Sequence, residues 1–574
     1  MVVDCVLRRI ELRKIFFAAA AAASLMSAAC GLVAQELPPA VKAAEASIDG
    51  ERIRAHVRFL ADDLLEGRGP GLRGSELAAK YIATQFAVYG LKPGGDNGTY
   101  MQQVNFVGMK AIPEKTTMSL VPKRPKRPEG QMSIALYSID LKYGDDFTVS
   151  NRTLTPVVEV DAPIVFVGFG ITAPEFGWDD YAGVDVKGKV VLCIVGDPPS
   201  DDPKFFGGKA LTYYGRWTYK FEQAARMGAV GALIIHRTDL ASYGWDVVRN
   251  SNTSEKTYLR DDKDPQLQAA SWIQLAVAKQ LFAAAGKDVD AEMTAAGKRG
   301  FKAVELPVRL HARVESVVRP FQSPNVIGIL PGIEKGKDQA VLYTAHFDHL
   351  GFVPGMAGDN IYNGAADNAT GCGMLVEMAR AWMQPGVKPP HTVIFAAVTA
   401  EEQGLLGSEY LGQHPPVPAG QIALGINYDM ILPIGVPQQV NLNGAQRMSF
   451  YPVVQATAKR FGLEIVPDPR PEAGSFYRSD HFSLSRQGIP AFSVETGDLF
   501  EGHDAAWGRA KLEHFVANDY HNFSDNYRED WDFRGNAKLD QFGMALGWEA
   551  LTAPKIIEWN AGDEFEAARK ASQR

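Results

Sequence analysis

Three apolar runs in the second half of the chain each lead into a histidine or an acidic residue. The runs and the residues that follow them are 340–343 with His346, 392–398 with Glu401, and 422–426 with Asp429. Continuous apolar runs of this length are typical of strands that are buried on both faces. Open sheets built from such strands place their chemistry at the strand carboxyl ends. The pattern therefore predicts an α/β fold with a functional site along one edge of the sheet.

Residues of the kind that bind metals cluster at these predicted strand ends and in two turns. His346 and Asp348 are two positions apart, so an extended backbone directs both side chains to the same side. An imidazole can bind a metal while a nearby carboxylate orients its other ring nitrogen. Asp367 lies in a glycine-rich turn before a helix-like stretch, and His521 lies in a later turn. The remaining candidates are the adjacent pair Glu401 and Glu402, and Asp429.

Each candidate also has an ordinary structural interpretation. Asp367 could cap a turn or a helix, and Glu401 with Glu402 could favour the dipole at a helix start. His346 could be a hydrogen-bonded structural histidine, and Asp429 a solvated strand end. Taken together, these interpretations require several independent coincidences in one order along the chain. We therefore favour a metal site over a set of unrelated structural residues.

The motifs around these residues resemble those of the M28 metallopeptidases, the co-catalytic zinc aminopeptidase family. The segments are A-H-F-D-H-L-G at 345–351, G-A-A-D-N-A-T-G at 364–371, A-E-E at 400–402, N-Y-D-M at 427–430 and D-Y-H-N-F-S-D at 519–525. The resemblance implies a mixed, mostly parallel sheet flanked by helices. It also implies roles for seven residues: metal ligation by His346, Asp367, Glu402, Asp429 and His521, general-base action by Glu401, and support of His346 by Asp348.

The family chemistry implies an enzyme that hydrolyses peptide or protein substrates with two divalent metal ions, zinc being the favoured metal. Paired metals share a bridging carboxylate, here Asp367, and lower the pKa of water towards neutrality. A carboxylate outside the metal shell, here Glu401, takes the proton and passes it to the leaving amine. An aminopeptidase releasing N-terminal residues is the leading prediction. The alternatives are a carboxypeptidase-like relative, a one-metal glutaminyl-cyclase-like relative, and a non-catalytic binding protein on the same scaffold.

A second group of residues is predicted to support the site. The segment 478–482 resembles the S-D-H segment that lies near the substrate pocket in the family, and a tyrosine before it can stabilise the oxyanion in relatives. Tyr477 is the available phenol here, so we predict a catalytic role for it. Asp480 and His481 are either part of this pocket or a structural pair. Asp525 and Ser524 are expected to fix the loop that carries His521.

The first residues of the chain have the pattern of a secretory signal peptide. Four basic residues between positions 8 and 14 precede an apolar, alanine-rich run that continues to Ala29. This run is too short for a convincing membrane span and is typical of a signal sequence. We predict cleavage after Ala34 and export to the periplasm or the exterior. Residues 27–30 also resemble a poor lipobox, so anchoring through a lipid on Cys30 is an alternative.

Composition narrows the classes of partner. The formal net charge is −8 and the basic residues are dispersed, which argues against nucleic acid as the main partner. After the signal region no stretch is apolar enough to predict a membrane span. Two cysteines remain there, Cys193 and Cys372, and neither spacing nor context predicts a disulfide framework. The oligomeric state is left open by the sequence.

Differences in sequence composition and pattern divide the chain into four predicted segments. They are a signal peptide at 1–34, an N-terminal part of the catalytic domain at 35–154, an inserted domain at 155–305 and the main catalytic domain at 306–574. The insert is β-rich, and its K-G-K-V-V-L and A-A-R-M-G-A-V-G-A-L-I-I segments resemble a protease-associated (PA) domain, which in this family caps the site or binds partners. A glycine-rich turn at 66–74 resembles one that packs near the catalytic domain in relatives.

Overall fold

The computed structural model describes residues 37–123, 138–241, 243–334 and 339–574. The predicted signal peptide at 1–34 and the alternative lipid anchor at Cys30 lie outside these residues. Within the described part of the chain, no helix combines the length and the apolarity that crossing a membrane requires.

The described residues form two large sheets and two short two-stranded ones, and the first large sheet carries the three predicted strand ends. Its central strands are the His346 strand (Ala340–His346), the Glu401 strand (Val393–Val398) and the Asp429 strand (Ile422–Tyr428). The His346 strand lies between the other two and is parallel to both. All three strands are buried along their whole length, as their continuous apolar runs predict. Because they are parallel, their carboxyl ends meet at one edge of the sheet.

Two further strands extend this sheet beyond the Asp429 strand. The Glu495 strand (Ala491–Thr496) is parallel to the Asp429 strand, and the Asn443 strand (Gln439–Asn443) pairs with the Glu495 strand in the antiparallel direction. The other strands of the first sheet are Lys92–Pro93, Met101–Ala111, Lys256–Leu259, part of Val304–Leu330, and Glu464–Ile465. The predicted α/β fold with a mixed, mostly parallel sheet is confirmed.

Helices cover both faces of the first sheet. Three of them, Gly50–Leu60, Thr370–Trp382 and Arg534–Leu551, pack against each other over one face. Leu411 and Leu484, from Leu406–Gln413 and His481–Arg486, join the apolar cluster on the other face. The remaining helices of the described chain are Pro39–Ala46, Arg73–Tyr89, Trp217–Arg226, Thr238–Ala241, Trp245–Thr253, Leu275–Ala284, Val289–Ala296, Tyr451–Arg460, Ala505–Asn518 and Glu566–Ser572.

The second sheet has a core of its own. Its strands, in spatial order, are Ile139–Leu141, Thr117–Pro122, the first half of Val304–Leu330, Val157–Phe166, Val190–Ile194, Gly231–His236, Ala269–Gln274 and Phe147–Ser150. The sheet includes the strands Thr117–Pro122, Ile139–Leu141 and Phe147–Ser150, which precede residue 155. It also includes residues up to 315 of Val304–Leu330, which follow residue 305. The boundaries predicted for the insert therefore do not coincide with the limits of the sheet, and its assignment as a PA domain stays a prediction.

The two sheets are joined by one continuous strand and by a packed contact. Strand Val304–Leu330 pairs in the second sheet through residues 304–315 and in the first through 316–330. Beyond it, the ring of Tyr213 packs 6.2 Å from Tyr477 and 5.1 Å from Phe482, measured between ring centroids. Arg486 pairs with Glu222 at 3.3 Å across the same contact. The second sheet is thus fixed beside the segment that follows residue 471.

Candidate metal centre

His346 is the last residue of its strand and is fully enclosed. Its Nε2 lies 3.1 Å from Asp429 Oδ1 and 3.3 Å from Asp367 Oδ1. Its Nδ1 lies 3.2 Å from the main-chain oxygen of Asp348, but 3.9 Å from the carboxylate of the same residue. The backbone carbonyl rather than the predicted carboxylate therefore orients the ring, since the turn after the strand brings that carbonyl nearer. Nδ1 donates to it, which leaves the Nε2 lone pair free for a metal.

The Asp348 carboxylate instead positions the next strand end. Its Oδ1 accepts a hydrogen bond of 3.1 Å from the main-chain N–H of Glu401. Its Oδ2 has no hydrogen-bond partner among the described residues, although the side chain is completely buried. Burial raises the pKa of Asp348 to about 7, and the positive charge of His346 opposes that rise. Asp348 thus supports the site through Glu401 as well as through its own carbonyl.

Asp367 lies between the two predicted ligand histidines. Its Oδ1 faces His346, and its Oδ2 lies 3.2 Å from His521 Nε2. The turn that carries it is held by Asp525, whose carboxylate accepts the main-chain N–H groups of Ala366 and Asp367 at 2.9 and 3.0 Å. Asp525 was expected to fix the loop bearing His521, but its carboxylate instead holds the turn bearing Asp367. A carboxylate with one oxygen towards each histidine has the orientation of a bridging ligand.

Glu402 completes the second half of the site. Its Oε2 lies 2.9 Å from His521 Nε2, and its Oε1 lies 2.6 Å from His349 Nδ1. The Nε2 of His349 has no hydrogen-bond partner among the described residues. His349 was expected to be structural or supporting, and its contact with a candidate ligand fits a supporting role.

Glu401 is adjacent in sequence but occupies a different position in the site. Its Oε2 lies 4.0 Å from His346 Nε2, and the side chain is 9% exposed. The pKa of Glu401 lies well above its ordinary range because of burial, and the charges of Asp429 and Glu402 reinforce that rise against the opposing effect of His346. A buried carboxyl with a raised pKa next to the donor atoms is suited to accepting and returning a proton.

The remaining pKa values show how strongly the charges in this site interact. Burial would lower the pKa of His346, but Asp429 and Glu401 raise it well above its ordinary value. Burial likewise acts against protonated His521, yet Glu402 and Asp367 raise its pKa to about 10. Asp367 shifts the opposite way: despite burial, its hydrogen bonds with the two histidines hold its pKa well below the usual range.

These residues fit divalent cations. Donor atoms of His346, Asp367 and Glu402 lie within 4.8 Å of one another. Two overlapping sets emerge from the contacts: His346, Asp429 and Asp367 form one, and His521, Glu402 and Asp367 form the other. Imidazole nitrogen with carboxylate oxygen is the donor chemistry of catalytic zinc. Buried acids outnumber the histidines here, and a cation would compensate that surplus of negative charge.

The structure does not bring Tyr477 into this cluster. Its hydroxyl donates to Glu564 at 2.8 Å, and Arg447 contacts the same carboxylate at 2.7 Å. No hydrogen bond within the described chain joins Tyr477 to a candidate ligand. The neighbouring Ser479 makes that connection instead, because its hydroxyl donates to Asp429 Oδ2. Asp480 and His481 are buried behind it, and no hydrogen bond between described residues joins one side chain to the other.

Two residues that sequence reasoning missed lie against the site. The ring of Tyr520 stacks on His521 with centroids 3.9 Å apart. Although Tyr520 is 41% exposed, the partial burial of its hydroxyl and the nearby charges of Asp367 and Glu402 raise its pKa well above the ordinary value. Its position next to His521 in the sequence was the available signal.

The second is Arg68, from the glycine-rich turn at 66–74. Its buried guanidinium donates to the carbonyl groups of Phe347, Asn363 and Gly364 at 2.6–2.8 Å, and so joins the loops that carry His346 and Asp367. This agrees with the expectation that the turn packs near the catalytic residues.

Comparison with known proteins identifies the region that carries these residues. A sequence profile of Peptidase family M28 matches residues 325–539. This segment, rather than the whole chain, resembles Peptidase family M28, as the sequence motifs predict. All five candidate ligands and Glu401 lie within the matched range.

Individual relatives show similarity over part of their length. The chain is 29% identical over 248 residues to leupeptin-inactivating enzyme 1 of Streptomyces exfoliatus, which covers 42% of the chain and 51% of the relative. It is 27% identical over 342 residues to a glutamate carboxypeptidase 2 homolog of Caenorhabditis briggsae. That alignment covers 51% of the chain and 39% of the relative. The chain thus spans about half or less of the length of these curated relatives.

Among solved structures, an aminopeptidase from Aneurinibacillus sp. strain AM-1 superposes with a TM-score of 0.46 at 19% identity. The match covers 88% of this chain and 95% of that one.

Proposed function

We propose that this protein is a two-metal aminopeptidase that hydrolyses the first peptide bond of its substrates. The observation that carries the proposal is the position of Asp367, whose two carboxylate oxygens face His346 and His521 at 3.3 and 3.2 Å. One metal would be held by His346, Asp429 and Asp367, and the other by His521, Glu402 and Asp367. Zinc suits this nitrogen and carboxylate set.

The protein residues would then divide the remaining work. When bound, a pair of divalent cations supplies Lewis acidity, which polarises a carbonyl and makes water a stronger acid. Glu401 takes the proton from the attacking water and returns it to the leaving amine. Its main chain is fixed by Asp348 at 3.1 Å, so the carboxylate is held in place during both transfers. We also propose that Tyr520, which stacks on His521, donates a hydrogen bond from its phenol to the substrate.

A carboxypeptidase is the second candidate, because the curated relatives include a glutamate carboxypeptidase 2 homolog. A glutaminyl-cyclase-like enzyme would need one metal, and the two complete donor sets disfavour it. A non-catalytic binding protein would not need Glu401 beside those sets. A two-metal peptidase therefore accounts for more of the residues at this site than the cyclase or the binding protein does.

We also propose an exported protein in which the second sheet is a PA-like domain that limits access to the site. The signal pattern at 1–34 supports export, and N-terminal sequencing of the mature protein would test cleavage after Ala34. The contacts of Tyr213 and Glu222 with the segment after residue 471 support a fixed position for the second sheet beside the site.

A substrate panel tests the activity. Free aminoacyl 4-nitroanilides, their N-acetylated counterparts and C-terminally free N-blocked dipeptides should be compared with and without a chelator, and the bound metal measured. We expect cleavage of the free-amine substrates alone, loss of activity with chelator, and about two metal ions per chain. Cleavage of the N-blocked dipeptides alone would establish the carboxypeptidase instead. One metal, or none, would contradict the two-metal proposal.

A further inference from the structure

A further acidic residue, Glu495, lies beside the metal centre near the end of the strand that neighbours the Asp429 strand. The Asp429 and Glu495 strands are parallel, with Asn427 paired to Ser493 and Tyr428 paired to Val494. The residues that follow each pair, Asp429 and Glu495, therefore lie next to each other at the edge of the sheet. The mechanism described above gives Glu495 no role.

A row of polar side chains lies behind Glu495. The Asn443 strand pairs Asn443 with Ser493 and Asn441 with Glu495. Side chains alternate along a strand, so Asn443, Ser493 and Asn427 lie on the same face of the sheet as Glu495. Glu495 is two residues further along its strand than Ser493, towards the edge of the sheet. Apolar residues would be expected on a buried face that had only a structural role. The row therefore forms a polar layer of the sheet next to Asp429 and Glu495.

One side chain of this row lacks a partner. Ser493 is 1% exposed, yet its Oγ makes no hydrogen bond within the described chain. Asn443 is 7% exposed; its Nδ2 has no partner at normal hydrogen-bond geometry within the described chain, but its amide lies close enough to Glu495 to lower the pKa of that carboxyl. Asn427, in the same row, is fully used: it donates to Ser479 and accepts from Thr344, both at 2.7 Å. Buried polar atoms are nearly always satisfied, so the Ser493 hydroxyl and the loosely held Asn443 amide indicate a ligand that is polar on at least part of its surface.

The charges near Glu495 are mainly negative. The carboxylates of Asp468 and Asp429 are its nearest charged neighbours of the same sign. Asn443 and Arg470 act in the opposite direction, but Arg470 is exposed and forms no ion pair with Glu495 within the described residues. A cationic group placed beside Glu495 would pair with it and relieve the repulsion among the three acids.

We propose that Glu495 is a specificity-determining residue that binds the positively charged side chain of the substrate's N-terminal residue, lysine or arginine. This inference rests on the proposed aminopeptidase function. Asn443 and Ser493 line the base of the subsite, and Glu495 pairs with the ammonium or guanidinium group. The protein would then prefer basic N-terminal residues over apolar ones of the same length.

Distance favours the side chain over the α-amino group as the occupant. Glu495 is two strands from His346, and strands lie 4.7–4.9 Å apart, so the two are separated by roughly 10 Å across the sheet. The α-amino group is two bonds from the carbonyl carbon that is attacked, which keeps it beside the metal ligands. A lysine or arginine side chain is long enough to extend from that carbonyl to the next strand end.

Steady-state kinetics of Glu495→Gln test the proposal. The metal-loaded full chain should be assayed with the 4-nitroanilides of lysine, arginine and leucine, with the exposed Glu501→Gln as control. The wild type should favour the basic substrates, and Glu495→Gln should lower kcat/KM for them by about tenfold or more, the loss expected for one charge-assisted hydrogen bond. Leucine turnover, metal content and the control variant should stay near wild type.

Other outcomes overturn the proposal. An equal loss on all three substrates would assign Glu495 to the α-amino group or to structure. A wild type that cleaves leucine as well as lysine would refute the basic subsite while leaving the aminopeptidase intact. A wild type that cleaves no free-amine substrate would refute the proposed function itself.

If Glu495→Gln loses metal, inhibition of the wild type provides a second measurement. L-lysinol should inhibit leucine cleavage about tenfold more strongly than the neutral, equally long L-norleucinol, and equal inhibition would refute the subsite.

Discussion

Both sheets place a buried acid just past the end of a parallel strand, yet the surroundings of these acids differ. In the second sheet, Asp197 follows strand Val190–Ile194 and accepts hydrogen bonds from the N–H and the hydroxyl of Thr212, both at 2.8 Å. Lys220 lies nearby, fully buried, and donates to the carbonyl of Gly196 at 2.9 Å. Each of these polar groups is satisfied within the protein.

The first sheet leaves its buried charges uncompensated. Four acids surround His346 and His521 in the candidate metal centre, and one oxygen of Asp348 has no partner in the described chain. In the second sheet, by contrast, a cation and an acid oppose each other. Burial lowers the pKa of Lys220 to about 8 and raises that of Asp197 to about 7, and the charge of each residue reduces the shift of the other. The position of an acid at a strand end is therefore shared by both sheets, and a surplus of negative charge with converging donors is what distinguishes a metal site.

The largest effect is expected from Asp367→Asn. The substitution removes the charge that both donor sets share, so the protein should lose both metals together. Turnover should fall by more than about 10⁴-fold, beyond the range of general-base loss alone. Metal analysis and kinetics of the purified protein would measure this, with the exposed Asp359→Asn as control. Loss of a single metal would show that Asp367 does not serve both sets.

A smaller loss is expected from Glu401→Gln, which separates proton transfer from metal binding. Turnover should fall by about 10²–10⁴-fold, the usual contribution of a general base. Metal content should stay at the wild-type value, because Glu402 and the other ligands are intact. Activity near wild type would exclude Glu401 as the base. Loss of metal would instead move it into the ligand set.

Asp525→Asn should have a moderate effect on metal affinity. Asparagine would direct an N–H group towards the main-chain N–H of Ala366 or Asp367, so the loop bearing Asp367 should loosen. Metal affinity should fall by about 10–100-fold, as for other residues that support ligands. Competition with a chelator would measure it, with the exposed Asp530→Asn as control. Unchanged affinity would show that the loop is held by other contacts.

The apolar runs predict the central strands because strands that are buried on both faces are apolar along their whole length. Strand carboxyl ends then bring His346, Glu401 and Asp429 together by geometry alone. Asp367 and His521 lie in turns, so residue type made them candidates and only the family resemblance gave each a role in the site. The contact of His349 with Glu402 could not be predicted, since it depends on how two loops approach each other.

The motif around Tyr477 does not predict which side chain the tyrosine hydroxyl contacts. The tyrosine precedes the S-D-H segment, as the resemblance requires, but its hydroxyl reaches Glu564 because the chain turns before Ser479. Its predicted catalytic role stays a prediction that no contact in the described chain supports. The position of Glu495 beside Asp429 arises from sheet register, and a single sequence does not reveal which strands are neighbours.

Lys220→Met should change stability while leaving turnover unchanged. The substitution leaves Asp197 buried without a nearby cation, which typically costs roughly 3 kcal/mol in the free energy of unfolding. Chemical denaturation would measure this, and metal content and kcat/KM should match the wild type. Adding Asp197→Asn should restore much of the stability, because the two substitutions are coupled through the charge they remove. If Lys220→Met instead abolished turnover without loss of stability, the second-sheet charges would be functional, and charge balance would no longer separate the two sheets.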